Sequence, residues 1–228
     1  MISAVQLHHA FGDHQALRAV SFRVAKGEFA FITGHSGAGK TTLMRILHGE
    51  LPVQRGKARI AGFDLAALKK NQLPFLRRDV ALIFQDFRIL MDRTATENIS
   101  LPLEVAGMPR DQIKRRVDSV LASLGLGRIA NLACASLSGG EQQLVATARA
   151  MASGPKVILA DEPTGNLDWD MAQRLLEVFK QFHAHGSTIL MATHNQDLVK
   201  STPQARVLNL EEGLLLFGGD DNNVREDE

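Results

Sequence analysis

The stretch Gly34-His35-Ser36-Gly37-Ala38-Gly39-Lys40-Thr41 constrains this chain more than any other, because few folds can use it. Glycines at 34, 37 and 39 let the backbone curl until successive N–H groups point inward, which suits phosphate oxygens. The apolar run Phe29-Ala30-Phe31-Ile32-Thr33 leads into the stretch, and a helical pattern from Thr42 to His48 leads out of it. In that order of strand, loop and helix, the positive end of the helix adds to the loop amides. The pattern predicts an anion cradle from Gly34 to Thr42. Lys40 is expected to reach the β- and γ-phosphates of a nucleoside triphosphate, and the Thr41 hydroxyl a Mg²⁺ ion. A plain glycine-rich turn is the competing reading, and the flanking strand and helix count against it.

Further apolar runs also end abruptly in polar residues. Ala81 to Phe84 runs into Gln85, Val157 to Ala160 into Asp161 and Glu162, and Thr188 to Thr193 into His194. Short continuous runs suit strands buried on both faces, as in parallel sheets. Helical periodicity lies between them: Ile113, Val117, Val120, Leu121 and Leu124 share one face, and Leu175, Phe179 and Phe182 share another after Trp169. The alternation predicts an α/β fold with a mainly parallel sheet. An N-terminal antiparallel β region is expected from Val5 to Val24, with short strands again from Ala205 to Phe217. The stretch 86–151 reads mostly helical, as a subdomain. One domain over 1–219 and a frayed acidic tail over 220–228 complete the expected organisation.

In open α/β sheets ligands bind beyond the carboxyl ends of strands, so the polar residues ending these runs point to one shared site. Asp161 is expected to hold Mg²⁺, and Glu162 to polarise an attacking water. His194 would hydrogen-bond the γ-phosphate and keep water and Glu162 aligned. Gln85 would contact the ion or the water through its amide. Each has a plainer reading as a strand-end residue; behind a phosphate loop the functional one is preferred.

Leu137-Ser138-Gly139-Gly140-Glu141-Gln142-Gln143 opens a helix expected to run to about Ser153. Ser138 with Glu141 forms a capping-box pattern, and a Ser-Gly-Gly helix start is also an anion site. Two anion sites on one chain suggest that two chains share each nucleotide.

Composition removes other classes. A formal net charge of +1 over 228 residues argues against a nucleic-acid-coating protein, so no nucleic-acid partner is expected. The single cysteine, Cys134, excludes an intrachain disulfide and reads as a small buried thiol in a reducing compartment. The eight histidines show no metalloprotease spacing, and His8-His9 reads as strand and turn surface. No apolar stretch approaches the roughly 18 residues that suggest a membrane span. A cytosolic chain is expected, with any membrane role coming through a partner.

Taken together and in this order, the phosphate loop, Gln85, Leu137 to Gln143, Val157 to Glu162, Asn166-Leu167-Asp168 and His194 resemble the ABC ATPases over nearly the full chain. The resemblance implies ATP hydrolysis with Mg²⁺ and a head-to-tail, ATP-dependent homodimer. Ser138, Gly139 and Gly140 of one chain would cover the γ-phosphate held by the other, with Asp168 at the seam. Phe11 falls where the family places an adenine-stacking aromatic ring; Tyr is usual there, and Phe keeps the π-face. Finer segments resemble the FtsE-type cell-division branch: Leu73 to Arg78, Ile83 to Asp86, Leu90 to Thr94, Gly34 to Gly37, Leu159 to Asp168 and Met191 to His194. That branch implies an FtsX-like integral membrane partner and other cell-division proteins. It also implies a place on the cytoplasmic side of the bacterial inner membrane and regulation of peptidoglycan hydrolysis.

Lipoprotein-release and macrolide-export ATPases share two of those segments and form the alternative. A DNA- or ribosome-acting ABC protein would carry a coiled-coil insertion or a second cassette, and neither is visible. Leu144 stands where relatives usually carry Arg, which deletes a charge on the helix and keeps a non-hydrolysing nucleotide-binding scaffold open. Asn195 replaces the more usual Asp after the histidine. Phe84 to Met91 suits a partner helix or core packing equally. Lys69, Lys70, Arg77 and Arg78 read as a solvated face, with anionic lipid or a partner's tail as the sharper reading.

Overall fold

The computed structural model describes residues 1–217, so the expected domain end at 219 and the acidic tail over 220–228 lie outside the described residues. Along the chain run β1 (Ile2–Phe11), β2 (His14–Val24), β3 (Phe29–Thr33), α1 (Lys40–Leu47), β4 (Arg55–Ile60), β5 (Phe63–Asp64), α2 (Leu73–Asp79) and β6 (Val80–Ile83). After them come α3 (Ala95–Val105), α4 (Arg110–Ser123), α5 (Gly139–Met151), β7 (Val157–Asp161), α6 (Trp169–Ala184), β8 (Thr188–Ala192), α7 (Gln196–Lys200), β9 (Arg206–Glu211) and β10 (Leu214–Phe217).

A six-stranded sheet in the order β10-β9-β3-β8-β7-β6 forms the core, parallel except for β10 at one edge. Every residue of β3, β7 and β8 is buried, which explains their unbroken apolar runs. Alternate side chains enter two different cores. Phe29, Phe31, Ile158, Ala160, Ile189 and Met191 pack with the helices α3 to α6 on one face. Ala30, Ile32, Val157, Leu159, Leu190 and Ala192 pack with α1 and the second sheet on the other. Truncating a fully buried ring such as Phe31 or Phe179 would cost about 3–5 kcal/mol.

The second sheet, β2-β1-β4-β5, is antiparallel and four-stranded, as expected for the N-terminal region. It starts earlier than expected, at Ile2. His9 is buried in β1 with its ring edge-on to Phe11, so the surface reading of His8-His9 fails for His9.

Between β6 and β7 the chain is mostly helical, but the first helix begins only at Ala95; residues 86–94 are irregular. Thr94 caps α3 through a reciprocal contact with Glu97, which sets the start. Buried Asn98 anchors the irregular stretch: its Oδ1 accepts from Leu90 N at 2.8 Å, and its Nδ2 donates to Leu90 O at 2.9 Å and Cys134 Sγ at 3.2 Å. Cys134 is the expected buried thiol, and burial raises its pKa. Leu144 is fully buried in the helical core, so its position contributes packing, not a missing surface charge.

Candidate functional site

Register aligns the carboxyl ends of the core strands. Ile32 pairs with Ala192, Asp161 with Ala192, and Ile83 with Ala160, so the loops that follow these strands share one edge of the sheet. The glycine-rich loop leaves β3 there. Gly34 and Gly39 have φ of +152° and +104°, and a Cβ on either would lie 2.1 Å from Leu210 O or 2.4 Å from Ala16 O. No other residue fits at these two positions. Gly39 caps α1, so the helix points its unpaired amides into the loop.

Lys40 is almost fully buried, and its Nζ donates to Gly34 O at 2.7 Å and His35 O at 3.0 Å. The same Nζ lies 3.2 Å from Glu162 Oε1. Glu162 Oε2 is in turn 2.6 Å from His194 Nδ1. Glu162 itself has a φ of +49°, a conformation that a side chain of this size adopts only when its surroundings impose it. Its amide donates to Ala192 O at 3.0 Å, which ties the acid to the end of β8 just before His194.

Asp161 ends β7 and is 6% exposed. Burial raises its pKa, opposed by a hydrogen bond from Thr41 and by Lys40, and reinforced by Glu162 and Asp86. Its Oδ1 is buried and unpartnered. A buried carboxylate oxygen without a partner, beside a hydroxyl and a carboxamide, is the donor set that a hard divalent cation takes. The residues present therefore fit Mg²⁺.

Phe11, His14, Ser36 to Thr42, Gln85, Glu162 and His194 line one cavity of about 350 Å³. Gly34 and His35 join His194 on its far side. A neighbouring cavity of about 390 Å³ joins Thr41, Gln85 and Asp161 to Arg45, Asp86, Arg88 and Asn166. The structure thus brings together Phe11, Gly34 to Thr42, Gln85, Asp161, Glu162 and His194. Ser138, Gly139, Gly140 and Asp168 line neither cavity. Ser138 is exposed at the start of α5, where its Oγ donates to Glu141 Oε2 at 2.8 Å and accepts from Glu141 N at 3.3 Å. Asp168 caps α6, its Oδ1 accepting from Met171 N at 2.8 Å. A Cβ on Gly140 would meet Met171 Cγ at 2.9 Å, so the two helix starts abut.

A larger cavity of about 860 Å³ sits at the opposite end of the strands, against Arg116, Lys156 and His185. None of the expected site residues lines it, so its size says nothing about the chemistry. Asn195 accepts from Asp197 N and Leu198 N as the cap of α7, a task that an Asp carboxylate performs equally. His14, Arg45 and Arg88 were not expected at the site, whereas Asn166 belongs to the segment Asn166-Leu167-Asp168 already read as part of the resemblance. His14 opens β2, Arg45 lies on α1 and Arg88 in an irregular loop, and none of the three carries a pattern that sequence reading can use.

A curled loop backed by a buried Lys, with an acid pair at the end of the adjacent strand, defines the P-loop ATPases as a class. The chain belongs to the ABC transporter family, whose model matches residues 17–165. It is an ATPase of that type. It is 47% identical to the cell division ATP-binding protein FtsE of Escherichia coli (strain K12), over 91% of this chain and 93% of that one. Against the Bacillus subtilis (strain 168) protein of the same name it is 38% identical, over 95% of each chain. Among solved structures, a dimeric post-hydrolysis state of the ATP-binding cassette MJ0796 bound to ADP and Pi matches with a TM-score of 0.86 at 30% identity. That match covers 95% of this chain and 97% of the other.

Proposed function

We propose that this chain is the ATP-hydrolysing subunit of an FtsEX-like complex: ATP joins two copies head to tail, and the closure moves an FtsX-like integral membrane partner. The observation that carries the reading is the split of the expected groups. Those for the phosphates converge on two adjoining cavities, while Ser138, Gly139, Gly140 and Asp168 lie at the starts of α5 and α6 and line neither. A second copy would supply them. The MJ0796 cassette, whose fold this chain shares, is dimeric.

In this reading the loop amides of Gly34 to Thr42 and Lys40 Nζ bind the phosphates, and Phe11, half exposed at the rim, stacks on adenine. Thr41, Asp161 and Gln85 would hold Mg²⁺. The ion, when bound, neutralises charge on the phosphate oxygens. Glu162 orients and deprotonates the water, and His194, at 2.6 Å from its other oxygen, keeps that carboxylate aimed. Ser138 and Gly140 of the second copy close over the γ-phosphate with the positive end of α5.

The membrane partner would seat against the groove between the core and the helices, which Phe84, Phe87, Leu101 and Val105 line. Val105 is 78% exposed, and Leu90 and Met91 are also exposed nearby. No helix among the described residues is long and apolar enough to cross a membrane. Similarity to FtsE supports a peripheral place for the chain on the cytoplasmic side of the inner membrane. There it would act in cell division by regulating peptidoglycan hydrolysis. Similarity to FtsE at 38–47% identity favours this branch over lipoprotein release or macrolide export. The deciding experiment is affinity purification from membranes in detergent with ATP. Recovery of an FtsX-like protein supports the assignment; recovery of a lipoprotein-releasing or exporter permease replaces it.

A further inference from the structure

Behind Gln85 lies a cluster of charges that the site does not otherwise use. Glu50 follows α1, the helix that begins with Lys40 and Thr41. Its Oε2 accepts from Arg45 Nε at 2.9 Å, and its Oε1 lies 3.5 Å from Arg88 Nη1. Arg88 stands three residues after Gln85 and its guanidinium stacks 3.5 Å from the ring centre of Phe84, the residue before Gln85. Arg88 Nε also reaches Asp86 Oδ1 at 3.3 Å. On the backbone side, Arg88 O accepts from Arg149 Nη2 of α5 at 2.5 Å.

One residue therefore touches the far end of the phosphate-loop helix, both flanks of Gln85, and the helix that starts at Ser138. An exposed ion pair alone would mean little. Here the carboxylate of Glu50 is only 19% exposed, the guanidinium is stacked on a ring, and Arg88 holds a left-handed φ of +48°. His48, at the end of α1, adds no competing charge: burial first, then Arg77 and Arg88, against Glu50, hold its pKa down at about 4.

We infer that Arg88 is a positioning residue for ATP hydrolysis. Held by Glu50 and stacked on Phe84, it fixes the Gln85 loop relative to the phosphate loop and links both to the start of α5. The same Phe84 lines the apolar groove, so a partner seated there presses on Arg88 and thus on Gln85. The inference rests on the place of Gln85 at the ion and the water.

The test is steady-state ATPase kinetics on the full chain with Arg88→Ala, Arg88→Lys, Glu50→Gln, Gln85→Ala and the Arg88→Ala/Gln85→Ala double variant. Arg88→Ala should lower kcat about 10-fold while KM for ATP changes by less than about 2-fold, the signature of lost alignment without lost binding. Arg88→Lys should recover part of the loss, since it keeps the charge but not the planar stack. The double variant should be no slower than Gln85→Ala, because both changes act through one group. Unchanged kcat in Arg88→Ala, or losses that multiply in the double variant, overturn the inference and leave Gln85 in place. A Gln85→Ala variant with unchanged kcat overturns the Gln85 reading and the inference with it. If Arg88→Ala does not fold, Glu50→Gln in the same pairing with Gln85→Ala gives the same comparison, with the same outcomes.

Discussion

Lys40 and Glu162 hold each other: the ammonium nitrogen lies 3.2 Å from Glu162 Oε1, and both side chains are largely buried. A γ-phosphate arriving at the loop would draw Lys40 toward its own oxygens and release the carboxylate to a water molecule. The pair thus stands in for the substrate's charge before the substrate arrives.

Glu162→Gln tests that exchange. The amide keeps the size of the side chain and a contact with His194 but removes the negative charge facing Lys40. ATP should bind at least as tightly as to the unaltered chain, while hydrolysis falls about 10²–10⁴-fold with the loss of the base. ATP-loaded Glu162→Gln should therefore persist as a dimer in light scattering. Normal phosphate release by this variant would remove Glu162 from its role.

Lys40→Ala acts on the other partner. It strands Glu162 beside the loop carbonyls and deletes the cation that faces the phosphates. A charge-assisted hydrogen bond of about 1.5–3 kcal/mol corresponds to roughly 10- to 100-fold in affinity. Equilibrium binding of a fluorescent ATP analogue should weaken by that factor, and unchanged affinity would count against the phosphate-loop assignment.

Much of this architecture can be read in the sequence because it rests on backbone requirements and burial. Gly34 and Gly39 are readable since nothing larger fits their conformations, and β3, β7 and β8 are readable since both faces are buried. His9 was not readable: a polar pair in a strand gives no sign of which member points inward. The stretch 86–151 reads mostly helical, yet at its start the left-handed Arg88 and the side chain of Asn98 hold residues 86–94 in an irregular path. Contacts between distant segments, such as Glu50 with Arg88, leave no periodic trace at all.

Asp161 makes the site sensitive to pH in a defined direction. Burial raises its pKa above the ordinary 3.8, so the folded chain holds the proton more tightly than the unfolded one. As pH rises through the interval between those values, the unfolded chain ionises first and stability is lost; above the raised value the loss is complete. Asp161→Asn escapes this, since its buried atom is neutral at every pH. Above the raised value the metal-free variant should melt at a higher temperature than the unaltered chain, while hydrolysis is lost. Mg²⁺ alone should raise the midpoint of the unaltered chain more above the raised value than below it, because the ion competes with the proton, and should leave Asp161→Asn unmoved. A destabilised Asp161→Asn chain would contradict the unpartnered burial of Oδ1.

The separation of Ser138 from Lys40 allows the shared site to be tested by mixing two dead variants. Lys40→Ala damages the phosphate loop and leaves the Ser138 helix intact. Ser138→Arg blocks the helix start and leaves the loop intact; Ser138 is exposed, so the fold loses only its cap, about 1 kcal/mol. Each variant alone forms no complete site. In a head-to-tail pair of one of each, the loop of the Ser138→Arg chain meets the intact Ser138 of the Lys40→Ala chain, and one complete site returns. Equal mixing pairs unlike chains about half the time, with one site of two restored, so phosphate release should recover to about a quarter of the unaltered rate if the sites act independently. The recovery should vanish when either variant is present in large excess. No recovery at any ratio would mean that each copy closes its own site, and the dimeric reading would fall.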